Sequence, residues 1–190
     1  MQRKSKNYLY KIKRIVKRIK SKDIEDIFLF GSAVTGKYKP NDFDICIVFK
    51  EKVNRIILHD LNSEFENNKL NVHISSLTID NFFKKSHSLV STILREGISL
   101  LTNKPFASNF ALKSHVMYSY DLTNLKKSNK VRFVYVLKGR NKEQGVVKEF
   151  KGKFIQPGIF ILPNKFDKEM LDIFKIWKVK FSRKPIMLMN

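Results

Sequence analysis

The segment that most constrains the fold is residues 28–49, FLFGSAVTGKYKPNDFDICIVF. A first apolar run ends at Gly31 and Ser32, and a second run of alternating apolar residues carries Asp42 and Asp44 at its start. Since successive side chains of a strand point to opposite faces, two carboxylates separated by one residue share a face. Such a pair needs a cation, either a catalytic metal ion or, more simply, solvent and a neighbouring lysine.

Gly31 and Ser32 have the properties of an anion-binding turn. A glycine lets the backbone approach a ligand closely, and Ser32 adds a hydroxyl and an N–H group where a short helix is predicted to begin. Mg²⁺ binds a few carboxylates together with substrate phosphates. The order of turn and acidic strand therefore predicts an NTP site with Mg²⁺ or Mn²⁺. Lys37 is a candidate phosphate contact or, equally, a solvated loop lysine.

The formal net charge of +21 is unevenly distributed along the 190 residues. Residues 1–20 carry nine Lys and Arg and no acid, residues 21–117 carry twelve bases and eleven acids, and residues 118–190 carry seventeen bases and six acids. A general lysine bias is the simpler explanation, but it would have raised the middle segment as well. The basic flanks therefore favour a polyanionic partner, RNA or a ribonucleoprotein.

Cysteine content and hydropathy indicate the cellular compartment in which the protein is expected. Cys46 is the single cysteine, so no disulfide framework can form. No apolar run approaches the roughly 18 residues that span a bilayer, and no signal-peptide pattern is present. We therefore expect a cytoplasmic protein without a membrane partner.

Hydrophobic periodicity divides the chain into three segments. Residues 1–20 predict a basic amphipathic helix packed on the next domain, with Arg14, Lys17 and Arg18 as candidate nucleic-acid contacts. Residues 21–104 predict strands alternating with helices, an α/β (α+β) domain in which a sheet is backed by helices. Pro105 and small polar residues then interrupt the pattern.

Residues 114–190 predict the order βαββαβ, which is that of a small ferredoxin-like domain. Within it, residues 144–163 predict two short strands separated by Gly and Pro. RNA-binding modules of this topology stack bases on aromatic side chains of the sheet and hold phosphates with lysines. A structural domain without RNA contacts is the alternative. The candidate nucleic-acid contacts are Arg132, Lys138, Arg140, Lys142, Arg183 and Lys184.

Over about residues 20–102 the chain resembles the polymerase-beta-type nucleotidyltransferase superfamily, and in size its minimal members. The resemblance rests on Gly31-Ser32, then Gly36, then NDFDICIVF at 41–49. It extends to ILREGISLL at 93–101, which resembles the helix and turn that close the domain. It implies that Gly31 and Ser32 bind the triphosphate and that Asp42 and Asp44 hold two Mg²⁺ ions. The implied activity is transfer of a nucleoside monophosphate from an NTP, with release of pyrophosphate.

One part of the family pattern is missing. The resemblance implies a third carboxylate on the following strand, where this chain has Asn71, with His73 two residues later on the same face. Asn71 offers no charge to a metal, and His73 can accept a proton but suits Mg²⁺ poorly. Three hypotheses stay open: a nucleotidyltransferase acting on an RNA end, a weak or inactive protein of this fold that binds RNA or a ribonucleoprotein, and an enzyme that modifies a protein or small molecule.

Overall fold

In a computed structural model, the described residues are 2–19, 21–34, 42–84, 88–141 and 143–189. The chain divides into two compact units, Met1–Phe110 and Ala111–Asn190. Among the described helices, none combines the length and the apolar composition needed to cross a bilayer.

The first unit is a mixed four-stranded sheet with helices on both faces. The strand order is β3-β2-β1-β4, in which β2 and β3 are parallel and the other pairs are antiparallel. The elements are α1 (Gln2–Arg18), β1 (Ile24–Phe30), β2 (Phe43–Phe49), α2 (Arg55–Asn67), β3 (Val72–Thr78), α3 (Ile79–Lys84), α4 (Ser88–Glu96) and β4 (Ile98–Ser99). The alternation of strands and helices follows the sequence prediction, to which the structure adds the short edge strand β4.

Strand β2 is buried on both faces because its apolar residues alternate with small or apolar ones. Ile45, Ile47 and Phe49 pack in one core with side chains of α1 and α2, among them Ile12, Val16, Leu61 and Phe65. Cys46 and Val48 pack on the opposite face in a second core with Phe28, Phe82 and Ile93. The apolar side chains Ile12 and Val16 of α1 are thus buried in this core.

The second unit has the predicted ferredoxin-like topology. Its sheet order is β6-β7-β5-β8 with antiparallel neighbours, which is the arrangement of two interleaved βαβ units. The elements are β5 (Leu112–Asp121), α5 (Lys127–Lys138), α6 (Val146–Glu149), β6 (Lys153–Gln156), β7 (Ile159–Pro163), α7 (Asp167–Trp177) and β8 (Lys180–Met189). Pro185 is tolerated because β8 is an edge strand, where a missing N–H breaks no ladder.

Helix α6 corrects one sequence prediction. We expected residues 144–163 to form two strands, and the segment does contain β6 and β7, but it begins with a helical turn at Val146–Glu149. The side chain of Val147 is buried in the core of this unit. Packing of that valine overrides its preference for extended structure.

Candidate functional site

Gly31 lies where the end of β1 meets the start of β2. It opens a single 3₁₀ turn, Gly31–Ala33, which we call the Gly-Ser turn. Its φ of +72° lies in the left-handed region that favours glycine. A Cβ atom at this position would collide with the carboxylate of Asp44. The residue must be glycine for both reasons, and its backbone is in direct contact with one of the two predicted acidic residues.

The two aspartates lie at the start of β2. Asp44 is paired with Phe30 on β1 and with His73 on β3, and 26% of its side chain is exposed. Asp42 directly precedes the strand and is exposed. Because the positions differ by two, both carboxylates lie on the face of β2 that continues to Cys46. Asp44 is therefore held between neighbouring strands, whereas Asp42 is open to solvent.

Asn71 and His73 lie beside the aspartates on the parallel strand. The Phe43 N–H donates to the Asn71 carbonyl at 3.0 Å. The register of Asp44 with His73 then places Asn71 level with Asp42. The Nδ1 atom of His73 is 3.8 Å from Oδ1 of Asp44. The structure therefore brings together the four residues that the sequence marked as candidate catalytic positions.

The donor set suits Mg²⁺ only in part. Carboxylate oxygens are the ligands that this ion prefers, and it is commonly held by one or two of them together with substrate phosphates. Among the residues that the structure describes, no group of three or more His, Cys, Asp and Glu side chains could hold a metal ion. Asp42 and Asp44 therefore fit a site that a bound triphosphate completes, and do not fit a closed all-protein site.

Of the predicted phosphate contacts, Ser32 lies among the described residues and Lys37 does not. The Ser32 hydroxyl is buried and has no hydrogen-bond partner among the described residues. Lys37 lies outside the described residues. A buried hydroxyl without a partner is costly, so Ser32 has an unmet capacity for a hydrogen bond.

Glu96 is a residue of this site that the sequence reasoning missed. Its Oε1 atom accepts a hydrogen bond from the Gly31 N–H at 3.2 Å across 65 positions of the chain. Only 10% of the Glu96 side chain is exposed, and its Oε2 atom is 3.6 Å from a guanidinium nitrogen of Arg95. The only signal in the sequence was its place in ILREGISLL, the stretch compared with the end of a family domain. The structure connects that stretch to the Gly-Ser turn.

Cys46 has no place in the chemistry of the site. It is fully buried in the core beneath β2. Burial raises the pKa of its thiol to about 12. A thiol in this environment stays protonated near neutral pH and is inert.

The predicted basic contacts are distributed over several elements. Arg14, Lys17 and Arg18 are exposed on α1, where a guanidinium nitrogen of Arg18 lies 3.3 Å from Glu64. In the second unit, Arg132 and Lys138 are exposed on α5 and Arg140 follows it, whereas Lys142 lies outside the described residues. Arg183 forms an ion pair with Asp167, and Lys184 points to the other face of β8. Their role in nucleic-acid binding stays a prediction.

On the described strands of the second sheet, the Tyr and Phe side chains pack in the core and not on a base-stacking surface like that of RNA-binding modules of this topology. The five aromatic side chains on the described strands β5–β8 all pack into the core under the helices: Tyr118, Tyr120, Phe154, Phe160 and Phe181. The opposite face, which we call the open face, carries aliphatic and basic side chains such as Met117, Ile161 and Lys184. On the described strands, the open face therefore carries no Phe, Tyr or Trp side chain on which a base could stack. The aromatic residues were needed for the core of a small domain.

Part of this chain is similar to known proteins. A family model described as Polymerase beta, Nucleotidyltransferase matches residues 10–106, which confirms the resemblance seen in the sequence. The comparison with curated proteins found no match.

Among solved structures, the chain is similar to proteins from toxin–antitoxin pairs. One is a toxin–antitoxin with AMP-PNP, at 19% identity and a TM-score of 0.37, covering 48% of this chain and 71% of that chain. Another is a tri-AMPylated Shewanella oneidensis HEPN toxin in complex with MNT antitoxin, at 21% identity and a TM-score of 0.35, covering 49% and 71%. A third is the toxin–antitoxin MntA–HepT, at 17% identity and a TM-score of 0.34, covering 50% and 70%.

Proposed function

Because this chain belongs to the polymerase beta nucleotidyltransferase family, we propose that it transfers a nucleoside monophosphate from an NTP to an acceptor hydroxyl, with release of pyrophosphate. The observation that carries this proposal is the contact between the Gly31 backbone and the Asp44 carboxylate. It joins the residue suited to phosphate binding to the residue suited to metal binding. Both lie at the same end of the central strands β1 and β2 in the first unit.

Each residue has a role that follows from its chemistry. Asp42 and Asp44 would hold Mg²⁺, or Mn²⁺, together with phosphate oxygens of the substrate. When bound, the metal ion polarises the reacting phosphate and stabilises the charge of the departing pyrophosphate. The Gly-Ser turn receives the triphosphate, and the Ser32 hydroxyl donates to it. His73 is the side chain next to Asp44 that can take a proton from the acceptor.

We propose an RNA end as the acceptor. The support is electrostatic: seventeen bases against six acids in residues 118–190, and nine bases without an acid in residues 1–20. Lysine and arginine contacts to phosphates give binding that is insensitive to base sequence and weakens steeply with salt. Such contacts do not need an aromatic surface.

The test is a labelling reaction with α-labelled NTPs, Mg²⁺ and total RNA. We expect label on RNA, reduced at least about 100-fold by Asp42→Asn or Asp44→Asn, since each variant removes a metal-binding charge. Asp80→Asn is the matched control, because Asp80 is exposed and its carboxylate pairs with Lys84 on α3, away from the site. Undiminished labelling by both site variants would refute the metal-binding assignment. Label on protein or on a small molecule instead of RNA would reject the RNA acceptor and keep the transferase.

Asn71 favours a second candidate function, a weak or inactive member of the fold that binds RNA or a ribonucleoprotein. With an amide at this position, Asp42 and Asp44 are the carboxylates left to bind the metal ion, and no group of three metal-ligating side chains forms among the described residues. This candidate predicts salt-dependent RNA binding that Asp42→Asn and Asp44→Asn leave unchanged, and no turnover of any NTP. Asn71→Asp supplies the absent charge. A gain in rate of about tenfold or more in this variant would identify the position as the site of the third acid.

A further inference from the structure

Glu96 lies at a rigid corner of the first unit. It is the last residue of α4, and the next residue, Gly97, has no room for a Cβ atom because the carbonyl and side chain of Ile93 fill that space. Strand β4 follows at once and pairs with the end of β1 through Leu29 and Ile98. The corner is therefore fixed on both sides. Its geometry brings the Glu96 side chain to the first residue after β1.

A glutamate is an unfavourable choice at this corner for three reasons. The last turn of a helix carries the negative end of the helix dipole, which repels a carboxylate. The side chain is only 10% exposed, so its charge has lost most of its hydration. The Asp44 carboxylate lies against the same glycine, which adds a like charge nearby.

Two contacts offset these costs. A guanidinium nitrogen of Arg95 is 3.6 Å from one carboxylate oxygen, and the Gly31 N–H donates to the other at 3.2 Å. The second contact acts on the Gly-Ser turn. The turn has an internal hydrogen bond from the Val34 N–H to the Gly31 carbonyl at 3.1 Å, while a glycine by itself allows a wider range of backbone conformations than other residues. An anchor from another helix therefore limits the turn to one conformation.

We propose that Glu96 is a positioning residue for nucleotide binding, which acts through the Gly31 N–H. This inference rests on the proposed function, since it assigns the Gly-Ser turn to the triphosphate. Glu96 itself does not touch the nucleotide. It holds Gly31 so that the turn is already formed when the triphosphate arrives, and preorganisation of this kind strengthens binding.

The test uses four variants of the full chain and two measurements. Glu96→Gln keeps a hydrogen-bond acceptor without charge, Glu96→Asp keeps the charge and shortens the reach, and Glu96→Ala removes both. Glu64→Gln is the matched control, because Glu64 also lies in the last turn of its helix and pairs with an arginine, Arg18. The first measurement is hydrogen exchange of the Gly31 amide by NMR, without nucleotide. The second is calorimetric titration with a non-hydrolysable ATP analogue and Mg²⁺.

We expect Glu96→Gln and Glu64→Gln to match the wild type within about threefold in both measurements. Glu96→Asp and Glu96→Ala should exchange Gly31 about tenfold faster and bind the analogue about tenfold more weakly, which corresponds to the loss of one hydrogen bond. Thermal unfolding of Glu96→Gln should occur no lower than that of the wild type, because the variant removes a buried charge. If Glu96→Ala fails to fold, the comparison of Glu96→Gln with Glu96→Asp in Gly31 exchange rate and in analogue affinity decides the question.

Two results would overturn the inference. If Asp resembles the wild type and Gln resembles Ala, the charge matters and the hydrogen bond does not. If Gly31 exchanges faster in Glu96→Ala while the affinity for the analogue is unchanged, the turn is held but its position does not matter for binding, and the proposed function stands. A wild-type chain that binds no analogue would instead overturn the proposed function. The Gly31 exchange rates of the Glu96 variants would then still show whether Glu96 anchors the turn.

Discussion

His73 and Asp44 face each other across the parallel strands β2 and β3, with Nδ1 of the imidazole 3.8 Å from Oδ1 of the carboxylate. The His73 side chain is 79% exposed, whereas that of Asp44 is 26% exposed. The imidazole is therefore the more solvent-accessible member of this pair. It occupies the side of the site on which a third carboxylate is absent.

This pair gives the first prediction. If His73 takes the acceptor proton, His73→Ala should lower kcat about 100-fold and leave KM for the NTP within about threefold, because proton transfer matters in the transition state and not in binding. Steady-state kinetics measure both constants. His59→Ala is the matched control, since His59 is also exposed and lies 3.6 Å from an aspartate, Asp60. An unchanged kcat would identify His73 as a solvated strand residue.

The second prediction concerns Gly31→Ala. The new Cβ atom would collide with the Asp44 carboxylate. The alanine residue would also have to adopt the left-handed backbone conformation that Gly31 has. We expect the first unit to lose about 2–3 kcal/mol in free energy of unfolding, of which about 1 kcal/mol is the backbone term. Urea unfolding measures the loss.

Gly158→Ala separates the cost of the left-handed backbone from the cost of the collision. Its φ is +82°, but its Cβ would make only an ordinary contact at 3.4 Å with a backbone oxygen. This variant should lose about 1 kcal/mol, from the backbone term alone. Equal losses at the two glycines would contradict the collision with Asp44.

The third prediction concerns pH and Asp26. Burial raises the pKa of its carboxyl group, although hydrogen bonds from the Ser99 hydroxyl and the Ile27 N–H, each 2.7 Å, act to lower it. The folded state therefore binds this proton more tightly than the unfolded state. The stability that results is complete below the ordinary carboxyl pKa and is lost as pH rises through the raised value.

Asp26→Asn removes this dependence, because an amide accepts similar hydrogen bonds without charge. Relative to wild type, the variant should gain unfolding free energy between about pH 3 and about pH 7. Urea unfolding at both pH values measures the change. Asp80→Asn, at an exposed carboxylate, gives the baseline. If the unfolding free energy of Asp26→Asn relative to that of the wild type fell as pH rises, the sign would be opposite to the prediction, and burial would not be what raises the pKa of Asp26.

The fourth prediction concerns Tyr118 in the second unit. Its side chain is fully buried, and burial raises the pKa of its hydroxyl, which stays a donor. The hydroxyl donates to the Asp167 carboxylate and, at 3.1 Å, to the Asp167 backbone carbonyl, while Arg183 pairs with the same carboxylate. These bonds tie the start of α7 to β5 and β8.

Tyr118→Phe should therefore cost about 1–2 kcal/mol of unfolding free energy, since it leaves buried acceptors without their donor. Urea unfolding of the full chain, followed by tyrosine and tryptophan fluorescence, measures the loss. Tyr135→Phe is the control, because that ring is 42% exposed. Losses of the same size in both variants would show that the buried hydroxyl contributes nothing particular.

Local patterns account for what the sequence could predict. The alternation in β2 predicted a strand with one apolar face, and the order of the Gly-Ser turn and the acidic strand predicted that both belong to one site. The spacing of strands and helices in the second half was enough for its topology. In each case the deciding contacts join segments whose periodicity is visible by itself.

The missed features depend on contacts between distant residues. Strand β4 has two residues, too few for any periodicity, and exists because Ser99 and Ile98 pair with β1. Glu96 is one glutamate at the end of a helix, and its relation to Gly31 appears only in three dimensions. Helix α6 begins with two valines, whose local preference is for strands. No short-range pattern carries this information.

The pairing of β1 with both an early and a late strand has a consequence for synthesis on the ribosome. Phe28 pairs with Cys46 on β2 and with Ser99 on β4. A nascent chain can form the first pairing early, but β1 stays an unprotected sheet edge until residue 99 has left the exit tunnel. Such an edge can pair with other chains. We therefore expect truncation products that end before β4 to aggregate, and the first unit to become safe from aggregation only when its last strand has emerged.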